Sequence, residues 1–268
     1  MPPALLHHLI LIPSYNSGPC LLEAVRAAAN AWTPVWVIID GSTDGSLERL
    51  RAAAIEGVQV YSLPKNSGKG AAVLHGMQIA HSKGFTHALV MDSDGQHSAS
   101  HISTFLEASL AHPEAMILGK PLFAADAPRE RVYGRRIGNW LTTLATLSGG
   151  IHDSLFGFRV YPLRPSLKIL QAIKTARGFD FDTELAIRLY WDGVPPYNLN
   201  CPVYYPTRRE GGITHFRYLR HNFLLAGTHL RLFCGMLTRI PSLLRLRKKF
   251  ACAKTFDGKR KNAVMTLE

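Results

Sequence analysis

The sequence predicts an α/β fold, namely a doubly wound and mostly parallel sheet flanked by helices and followed by a basic amphipathic helical segment. Over the first 120 residues, short apolar runs alternate with amphipathic helical patterns, which is typical of β-α-β units. The balance of charge and the hydrophobic period both change near residue 216. We therefore expect a domain over residues 1–215, an amphipathic basic helical segment over 216–250 and a disordered tail over 251–268.

The predicted elements follow one another in a regular order. Apolar runs predict strands at residues 5–13, 35–39, 58–62, 86–91 and 115–119. Apolar residues at helical spacing predict helices at residues 20–32, 45–54, 70–82 and 98–112. Further on, the pattern predicts a mobile loop with four arginines at 121–136, helices at 137–147 and 181–193, and short strands within 153–161 and 194–206.

A polar loop follows each of the first four predicted strands. The loops have the sequences IPSYNSG (12–18), IDGSTDGS (39–46), LPKNSGKG (63–70) and MDSDGQH (91–97). Because the carboxyl ends of parallel strands meet at one edge of a sheet, we expect these loops to converge and to bind a ligand there.

Asp92 and Asp94 lie one residue apart in the fourth loop. In extended backbone their side chains point to the same side, where they form half of a site for a hard divalent cation. A solvated turn is the alternative for such a pair taken alone. An EF-hand is excluded because neither acidic loop has the glutamate that ends a calcium-binding loop.

Two other loops contain residues suited to a nucleotide. Lys69 lies in a glycine-rich loop that opens a helix, where free amides and a positive charge favour phosphate, although the loop lacks Walker A spacing. Asp40 ends the second strand and could accept hydrogen bonds from a base or ribose. The alternatives are an ordinary turn and, for Asp44, a cap of the next helix.

The positive charge of the chain is concentrated near its end. The formal net charge is +12, and residues 216–268 contribute +10 of it, from 12 Lys/Arg against 2 Asp/Glu. Such a segment suits an anionic surface, either membrane or nucleic acid. Nucleic acid is disfavoured because the segment lacks an aromatic-rich basic platform and the chain has no helix-turn-helix or zinc signature.

The final segment has a narrow apolar stripe at spacings of three and four residues. The stripe consists of Phe216, Leu219, Phe223, Ala226, Leu230, Phe233, Leu237 and Ile240. Pro241 is expected to break this helix, and a basic run follows it. The sequence leaves two positions open for the stripe, a membrane interface or the surface of the domain.

Composition also indicates a compartment. The chain has no uncharged apolar run of about 18 residues that would predict a transmembrane helix. Its start lacks the basic n-region and the cleavage site of a signal peptide. Cys20, Cys201, Cys234 and Cys252 form no CxxC pair, so we expect free thiols in the cytoplasm.

The loop motifs occur in an order that resembles a known family. P-x-Y-N, D-G-S-x-D-G-S, N-x-G-K-G and D-x-D-G-Q-H follow one another as in family-2 glycosyltransferases of the GT-A fold. The segments DSLFGFRVYP (153–162), GFDFDTELAIRLYWDG (178–193) and GGITHFR (211–217) are similar to those of polyprenyl-phosphate (dolichol-phosphate) mannosyl- and glucosyltransferases. The resemblance covers residues 9 to 222.

The resemblance implies a nucleotide-sugar donor, linked to UDP or GDP, and a divalent cation. The donor-binding residues would be Pro13, Tyr15, Asn16, Asp40, Ser42, Lys69 and Asp92. Asp92, Asp94 and Gln96 would hold Mg²⁺ or Mn²⁺, and Asp94 would be catalytic. The sequence departs from the family pattern at Ile39, in place of the first Asp of a doublet, and at Ser17, in place of Glu. Both departures leave the choice between uridine and guanosine open.

The resemblance also implies an inverting transfer to a lipid acceptor, with polyprenyl phosphate as the expected class. Arginines match phosphate oxygens, so Arg131, Arg135 and Arg136 would bind the acceptor and Arg159 would act in catalysis. A phosphate is already anionic and needs no base.

A hydroxyl on a lipid or another membrane-associated acceptor is the alternative, and it would need a general base. Asp153 is the residue we expect in the active site, and Asp182 and Glu184 are further candidates whose other explanation is helix capping. A non-enzymatic sugar-nucleotide-binding scaffold is disfavoured by the intact Asp92 and Asp94 pair. We expect an enzyme peripheral to the inner face of the cell membrane, on an anionic surface, and leave its oligomeric state open.

Overall fold

Among the residues that the structure describes, seven strands form one mixed sheet at the centre of the fold. The structure is a computed structural model and describes residues 6–93, 99–123, 129–203 and 218–251, with side chains described from residues 133 and 223 onward in the last two segments. The strands are β1 (His8–Ser14), β2 (Val35–Asp40), β3 (Val58–Leu63), β4 (His87–Val90), β5 (Met116–Leu122), β6 (Arg159–Pro162) and β7 (Pro196–Pro202). Their order is β3-β2-β1-β4-β6-β5-β7.

Most neighbouring strands in this sheet are parallel, and β6 is the antiparallel exception. It pairs antiparallel with both β4 and β5, whereas the other described pairs are parallel. The expected mostly parallel, doubly wound sheet is confirmed.

Helices cover both faces of the sheet. They are α1 (Cys20–Ala31), α2 (Ser46–Ala53), α3 (Lys69–Ser82), α4 (Ile102–Ala111), α5 (Arg129–Thr146), α6 (Leu163–Ala172), α7 (Phe181–Trp191), α8 (Tyr218–Leu237) and α9 (residues 240–251). The first two and α4 pack on one face, and the remaining six on the other. Ala99–His101 form a 3-10 turn before α4.

The central strands are apolar throughout because both of their faces are covered. Every residue of β1 and β2 is buried. Along β1, Leu9 and Leu11 pack on the side of α3, while Ile10 and Ile12 pack on the side of α1. This alternation is the period of a strand, and the absence of polar positions is what a parallel sheet buried on both sides requires.

Helix α5 begins inside the segment that was predicted as a mobile loop. Residues 129–136 form its first two turns and continue into the helix predicted at 137–147. The loop prediction was wrong for these residues, because Tyr133 and Ile137 among the arginines are spaced as helical neighbours. Helix α6 was not predicted, and its Pro165 lies in the first turn, where a missing amide hydrogen breaks no hydrogen bond.

Helix α8 packs on the domain through one face only. Leu232 and Met236 are buried in the core beside α7. Of the predicted apolar stripe, Phe223 is 77% exposed, Leu230 64% and Leu237 51%. The described part of the stripe therefore does not pack on the domain.

Helix α8 ends at Leu237, earlier than expected, and Pro241, which was expected to break it, lies in the first turn of α9. Phe216, the first residue of the predicted stripe, lies outside the described residues. Within the described ranges, no helix combines the length and the apolar character that crossing a membrane requires. Among the described residues, Cys20, Cys201 and Cys234 form no disulfide bond, and Cys252 is not one of those residues.

Candidate active site

The loops after β1 and β2 are joined by hydrogen bonds at the carboxyl edge of the sheet. The Asn16 amide donates to Ser42 Oγ at 3.0 Å, and the Thr43 amide donates to Asn16 Oδ1 at 2.8 Å. The Gly18 amide donates to Asp44 Oδ2 at 2.8 Å. Asp44 therefore connects the two loops, and its other oxygen accepts a hydrogen bond from the first amide of α2.

The loop after β1 also reaches the loop after β4. Ser14 Oγ donates to Ser17 Oγ at 2.9 Å, and Ser17 Oγ lies 2.7 Å from Ser93 Oγ. All three hydroxyls are buried. Ser17 is one of the two departures from the family pattern, and here it links the first loop to the residue that follows Asp92.

Asp40 holds the loop after β3 against the end of β2. Its two carboxylate oxygens accept hydrogen bonds from the amides of Ser67 and Gly68, each at 2.8 Å. Burial raises the pKa of Asp40, and the two amide hydrogen bonds oppose that rise. Asp40 is 2% exposed, so its carboxylate organises the glycine-rich loop from beneath.

The first amides of α3 already have acceptors within the protein. Besides the bond from Gly68 to Asp40, the Gly70 amide donates to the Arg177 carbonyl oxygen at 2.9 Å. A methyl group added at Gly70 would collide with the Ala176 carbonyl oxygen, so this helix end packs directly on the segment before α7. The expectation of free amides for a phosphate was therefore wrong for Gly68 and Gly70.

Lys69 lies between two carboxylates where α3, α7 and the loop after β4 meet. Its Nζ is 2.6 Å from Asp92 Oδ1 and 2.6 Å from Asp182 Oδ2. Burial would lower the pKa of Lys69, but the charges of Asp182 and Asp92 outweigh burial and raise it above its ordinary value. The side chain of Asp92 is 29% exposed and that of Asp182 only 4%, so Asp92 is the member of this cluster that faces solvent.

The cluster has two features that sequence reasoning missed. Asp182 Oδ1 is buried and has no hydrogen-bond partner among the described residues. A methyl group at Gly157 would collide with the Asp92 carboxylate and lie 2.8 Å from Lys69 Nζ. The glycine of the G-F-R motif was the available signal, because a glycine beside charged groups often marks a close approach.

The described residues fit part of a divalent-cation site. Asp92 supplies hard carboxylate oxygens on a partly exposed side chain at the strand end, which suits Mg²⁺ or Mn²⁺. Asp94 and Gln96, the other predicted ligands, lie outside the described residues. Within the described ranges, no group of three His, Cys, Asp or Glu side chains is arranged to hold a metal.

Asp153 is buried and bound on both oxygens. Oδ1 accepts hydrogen bonds from Arg135 Nη1 at 2.8 Å, the Leu155 amide at 2.9 Å and the Phe156 amide at 2.7 Å. Asn139 Nδ2 lies 3.4 Å from Oδ2. This carboxylate fixes α5 to the turn before Gly157, and both of its oxygens are occupied by protein donors.

Arg159 is fully buried, and its guanidinium contacts protein groups. It donates to the carbonyl oxygens of Phe156 at 2.6 Å, Asp182 at 2.7 Å and Asp153 at 3.2 Å. Because the described residues enclose the guanidinium completely, the geometry supports a role in holding the two acidic segments together.

The remaining predicted site residues differ in how far their side chains are exposed to solvent. Pro13 is buried at the end of β1, whereas Tyr15 is 36% exposed in the loop above it. Arg136 is exposed on α5 and lies over the Tyr133 ring, and the side chain of Arg131 is not among those described.

Comparison with known proteins agrees with the motif order. The profile of Glycosyl transferase family 2 matches residues 9–170. The chain is 27% identical over 214 residues to a polyprenol monophosphomannose synthase of Mycolicibacterium smegmatis, covering 77% of this chain and 79% of that one. It is also 27% identical over 198 residues to an undecaprenyl-phosphate mannosyltransferase of Micrococcus luteus, covering 67% and 76%.

Solved structures share the fold at lower identity. Glucosyl-3-phosphoglycerate synthase from Mycobacterium tuberculosis, in complex with Mn²⁺, UDP-glucose and phosphoglyceric acid, superposes with a TM-score of 0.58 at 17% identity. The superposition covers 86% of this chain and 79% of that chain. At this identity the similarity extends to the fold alone.

Proposed function

The chain belongs to glycosyltransferase family 2, and on this basis we propose that it transfers a sugar from a nucleotide-sugar donor to a polyprenyl phosphate, with inversion at the anomeric carbon. Membership of the family makes the protein a nucleotide-sugar-dependent glycosyltransferase, and the expected GT-A fold is confirmed. The acceptor, the metal, the donor base and the stereochemistry are the proposed part. The names of the two mannosyltransferase relatives support the acceptor class.

The cluster of Lys69, Asp92 and Asp182 is the observation that carries the proposal. It places a cation and an accessible carboxylate side by side at the carboxyl edge of the sheet, where open α/β sheets bind ligands. A diphosphate leaving group accumulates negative charge, and a fixed lysine at its position lowers the energy of that charge.

The donor would lie across the loops after β1 and β2. Tyr15 is accessible for stacking on a base, and Asn16 and Ser42 are held at fixed positions by the bond between them. Asp40 would act by supporting the glycine-rich loop, since both of its oxygens bind that loop. UDP and GDP donors both remain compatible with these residues.

We assign Asp92, Asp94 and Gln96 as the residues that would hold Mg²⁺ or Mn²⁺. A bound divalent cation supplies Lewis-acid neutralisation of the diphosphate. The presence of Mn²⁺ and UDP-glucose in the fold neighbour supports the use of a divalent cation.

An acceptor phosphate would bind at the α5 side of the site. Arg135 is held by Asp153, and its guanidinium lies 5.7 Å from the Phe123 ring centre and 5.9 Å from that of Phe156. A preformed guanidinium suits a phosphate monoester, which attacks as an anion and needs no base. Asp153 then acts as a positioning residue for Arg135.

A second candidate function is transfer to a lipid hydroxyl. One observation favours it, namely that Asp182 Oδ1 is buried and has no hydrogen-bond partner within the part of the chain that the structure describes, which would leave it available to a substrate hydroxyl. The pairing of Asp182 Oδ2 with Lys69 weakens the candidate, because the ammonium group already occupies one oxygen of that carboxylate.

We place the enzyme on the cytoplasmic side of the cell membrane as a peripheral protein. The exposed apolar residues of α8 and the basic residues that follow in α9 support attachment to an anionic membrane surface.

The test begins with the donor. We would titrate the protein calorimetrically with UDP-glucose, UDP-GlcNAc and GDP-mannose, with and without Mn²⁺. The donor that binds would then be incubated, carrying a labelled sugar, with undecaprenyl phosphate or with undecaprenol. We expect metal-dependent binding of one donor and transfer of label to the phosphate alone.

Asp92→Asn should reduce the transfer rate by about a hundredfold or more, because it removes an anionic ligand of the cation that would neutralise the diphosphate. Asp192→Asn is the matched control, since Asp192 is exposed and pairs with Lys168 away from the site. Transfer to undecaprenol but not to its phosphate would replace the proposal by the second candidate. If no donor binds, the proposal fails.

A further inference from the structure

Helix α8 has two apolar faces, and the domain covers one of them. The covered face is fixed by polar contacts as well as by packing, since Thr228 Oγ1 donates to Asp180 Oδ2 at 3.0 Å and Arg231 Nη2 lies 2.9 Å from Glu184 Oε2. The opposite face presents the exposed residues of the stripe. A second apolar face on a surface helix indicates a second partner.

Helix α5 carries a matching stripe that sequence analysis did not find. Tyr133 is 60% exposed, Ile137 63% and Trp140 64%, and their spacing of four and three residues places them on one face. The other side of the same helix is buried at Gly138 and Thr142. These exposed residues lie in and just after the segment that had been taken for a basic loop.

The two stripes lie on neighbouring helices of the same layer. Helices α5 and α8 pack against each other. Trp140 and Leu244 line one cleft between α5 and α9, and Leu244 is itself 44% exposed. We call the exposed apolar residues of α5, α8 and α9 the docking surface; they are Tyr133, Ile137, Trp140, Phe223, Leu224, Leu230, Phe233, Leu237, Ile240 and Leu244.

Charge identifies the partner of the docking surface. Residues 218–251 contain seven Lys and Arg and no Asp or Glu. Arg245, Arg247, Lys248 and Lys249 are exposed on α9. A second copy of the chain would bring the same positive charge and be repelled, whereas anionic lipid headgroups would be attracted. Trp and Tyr in such a surface suit the boundary between headgroups and acyl chains.

We infer that the docking surface seats on an anionic lipid bilayer through α5 and α8 together, and that this seating presents the acceptor phosphate to Arg135. The second part rests on the proposed function. Arg135 and Asn139 of α5 point to Asp153, on the side of the helix away from its exposed stripe. Helix α5 thus spans the distance from the membrane surface to the site.

The first turn of α7 forms a second connection between the docking surface and the site, in addition to α5. Asp180 and Glu184 hold α8, while Asp182 between them holds Lys69. One rigid turn therefore fixes both the membrane-facing helix and the cluster that contains Asp92. The arrangement sets the height of the site above the bilayer.

The test measures binding of the full chain to vesicles by flotation. Vesicles of phosphatidylcholine alone would be compared with vesicles of equal parts phosphatidylcholine and phosphatidylglycerol. Two double variants and one single variant are needed. The double variants are Ile137→Glu with Trp140→Glu on α5 and Phe223→Glu with Leu230→Glu on α8, and the single variant, Leu110→Glu, is the control. Leu110 is 46% exposed on α4, on the opposite face of the sheet.

We expect the unaltered protein to bind the anionic vesicles, and each double variant to bind at least about tenfold more weakly because it places two charges in the interface. The control should bind as the unaltered protein does. Unchanged binding of the α5 variant would overturn the two-helix surface. A dimer in solution that both double variants dissociate would overturn the lipid assignment in favour of a second copy.

A soluble acceptor separates this inference from the proposed function. With a short-chain prenyl phosphate free in solution, the double variants should transfer sugar at the rate of the unaltered protein, and they should lose transfer only to acceptor held in vesicles. If the unaltered protein transfers to neither acceptor while the variants still lose vesicle binding, the proposed function fails and the docking surface stands. Unaltered melting temperatures would exclude loss of folding.

Discussion

Lys69, the first residue of α3, lies 2.6 Å from Asp92, which follows β4. The pair joins two strand-end loops that are 23 residues apart in sequence. Lys69 also contacts Asp182 of α7, so one ammonium group compensates two carboxylates that come from distant parts of the chain. This relationship gives the edge of the sheet both its stability and its charge pattern.

Replacing Lys69 should therefore cost stability as well as donor binding. Lys69→Met removes the ammonium group that contacts the buried Asp182 carboxylate, and we expect a loss of about 3 kcal/mol in the free energy of unfolding measured with urea. Lys168→Met is the control, because Lys168 pairs with Asp192 at the surface and should cost less than about 1 kcal/mol. Equal losses in the two variants would show that Lys69 is no more important than a surface lysine.

Gly157→Ala should reduce donor binding without unfolding the protein. The added methyl group would collide with the Asp92 carboxylate, which can move because it is partly exposed. We expect the affinity for the donor to fall about tenfold or more while the unfolding free energy changes by about 1–2 kcal/mol. Gly227→Ala on α8 is the control, since a methyl group there meets nothing within 4 Å. Wild-type donor affinity in Gly157→Ala would contradict the close approach seen here.

Asp153→Asn distinguishes a positioning residue from a general base. The change weakens the bond to Arg135 and leaves amides of Leu155 and Phe156 poorly paired, so we expect a higher KM for the acceptor and a loss of about 1–3 kcal/mol in stability. The pH dependence of kcat should keep its shape. Loss of the acidic limb of that profile in the variant would identify Asp153 as the base instead, because a general base loses its activity when it is protonated.

The buried pair His8 and His87 makes stability depend on pH. Their rings stack with centroids 4.7 Å apart, and His8 Nε2 lies 2.9 Å from Ser109 Oγ. Burial, followed by the nearby His87 and His7, lowers the pKa of His8 to about 4. Burial likewise lowers the pKa of His87, although its bond to the Pro113 carbonyl oxygen opposes the shift.

As the pH falls, the two histidines of the unfolded chain are protonated before those of the folded protein, because their pKa values are higher in the unfolded chain. The contribution of the pair to the free energy of unfolding is therefore present above the ordinary histidine pKa and is lost as the pH falls toward the pKa values of the folded protein. We expect urea unfolding to show a loss of about 2 kcal/mol from His8 between pH 7 and pH 5. His8→Gln, which keeps a polar group near Ser109, should remove that part of the dependence. Equal stability of the unaltered protein at the two pH values would refute the prediction.

Patterns among residues that are close together in the sequence were enough to predict most of the sheet and the edge of the sheet that holds the site. The strands β1 to β5 and the helices between them follow periodic apolar patterns, and each pattern depends on residues near one another in the chain. The motif order predicted the family for the same reason. Helix α5 was misjudged because its exposed apolar residues and arginines lack the one-sided pattern of a helix packed on a core.

The sequence by itself determined the alternating α/β order, the loops that meet at the sheet edge and the positive charge of the final segment. Only the tertiary structure decided that Asp153 is bound by Arg135, that Arg159 is enclosed, and that the stripe of α8 faces away from the domain. A pattern depends on spacing along the chain, whereas the availability of a side chain depends on which distant groups pack around it. Packing alone decides that availability.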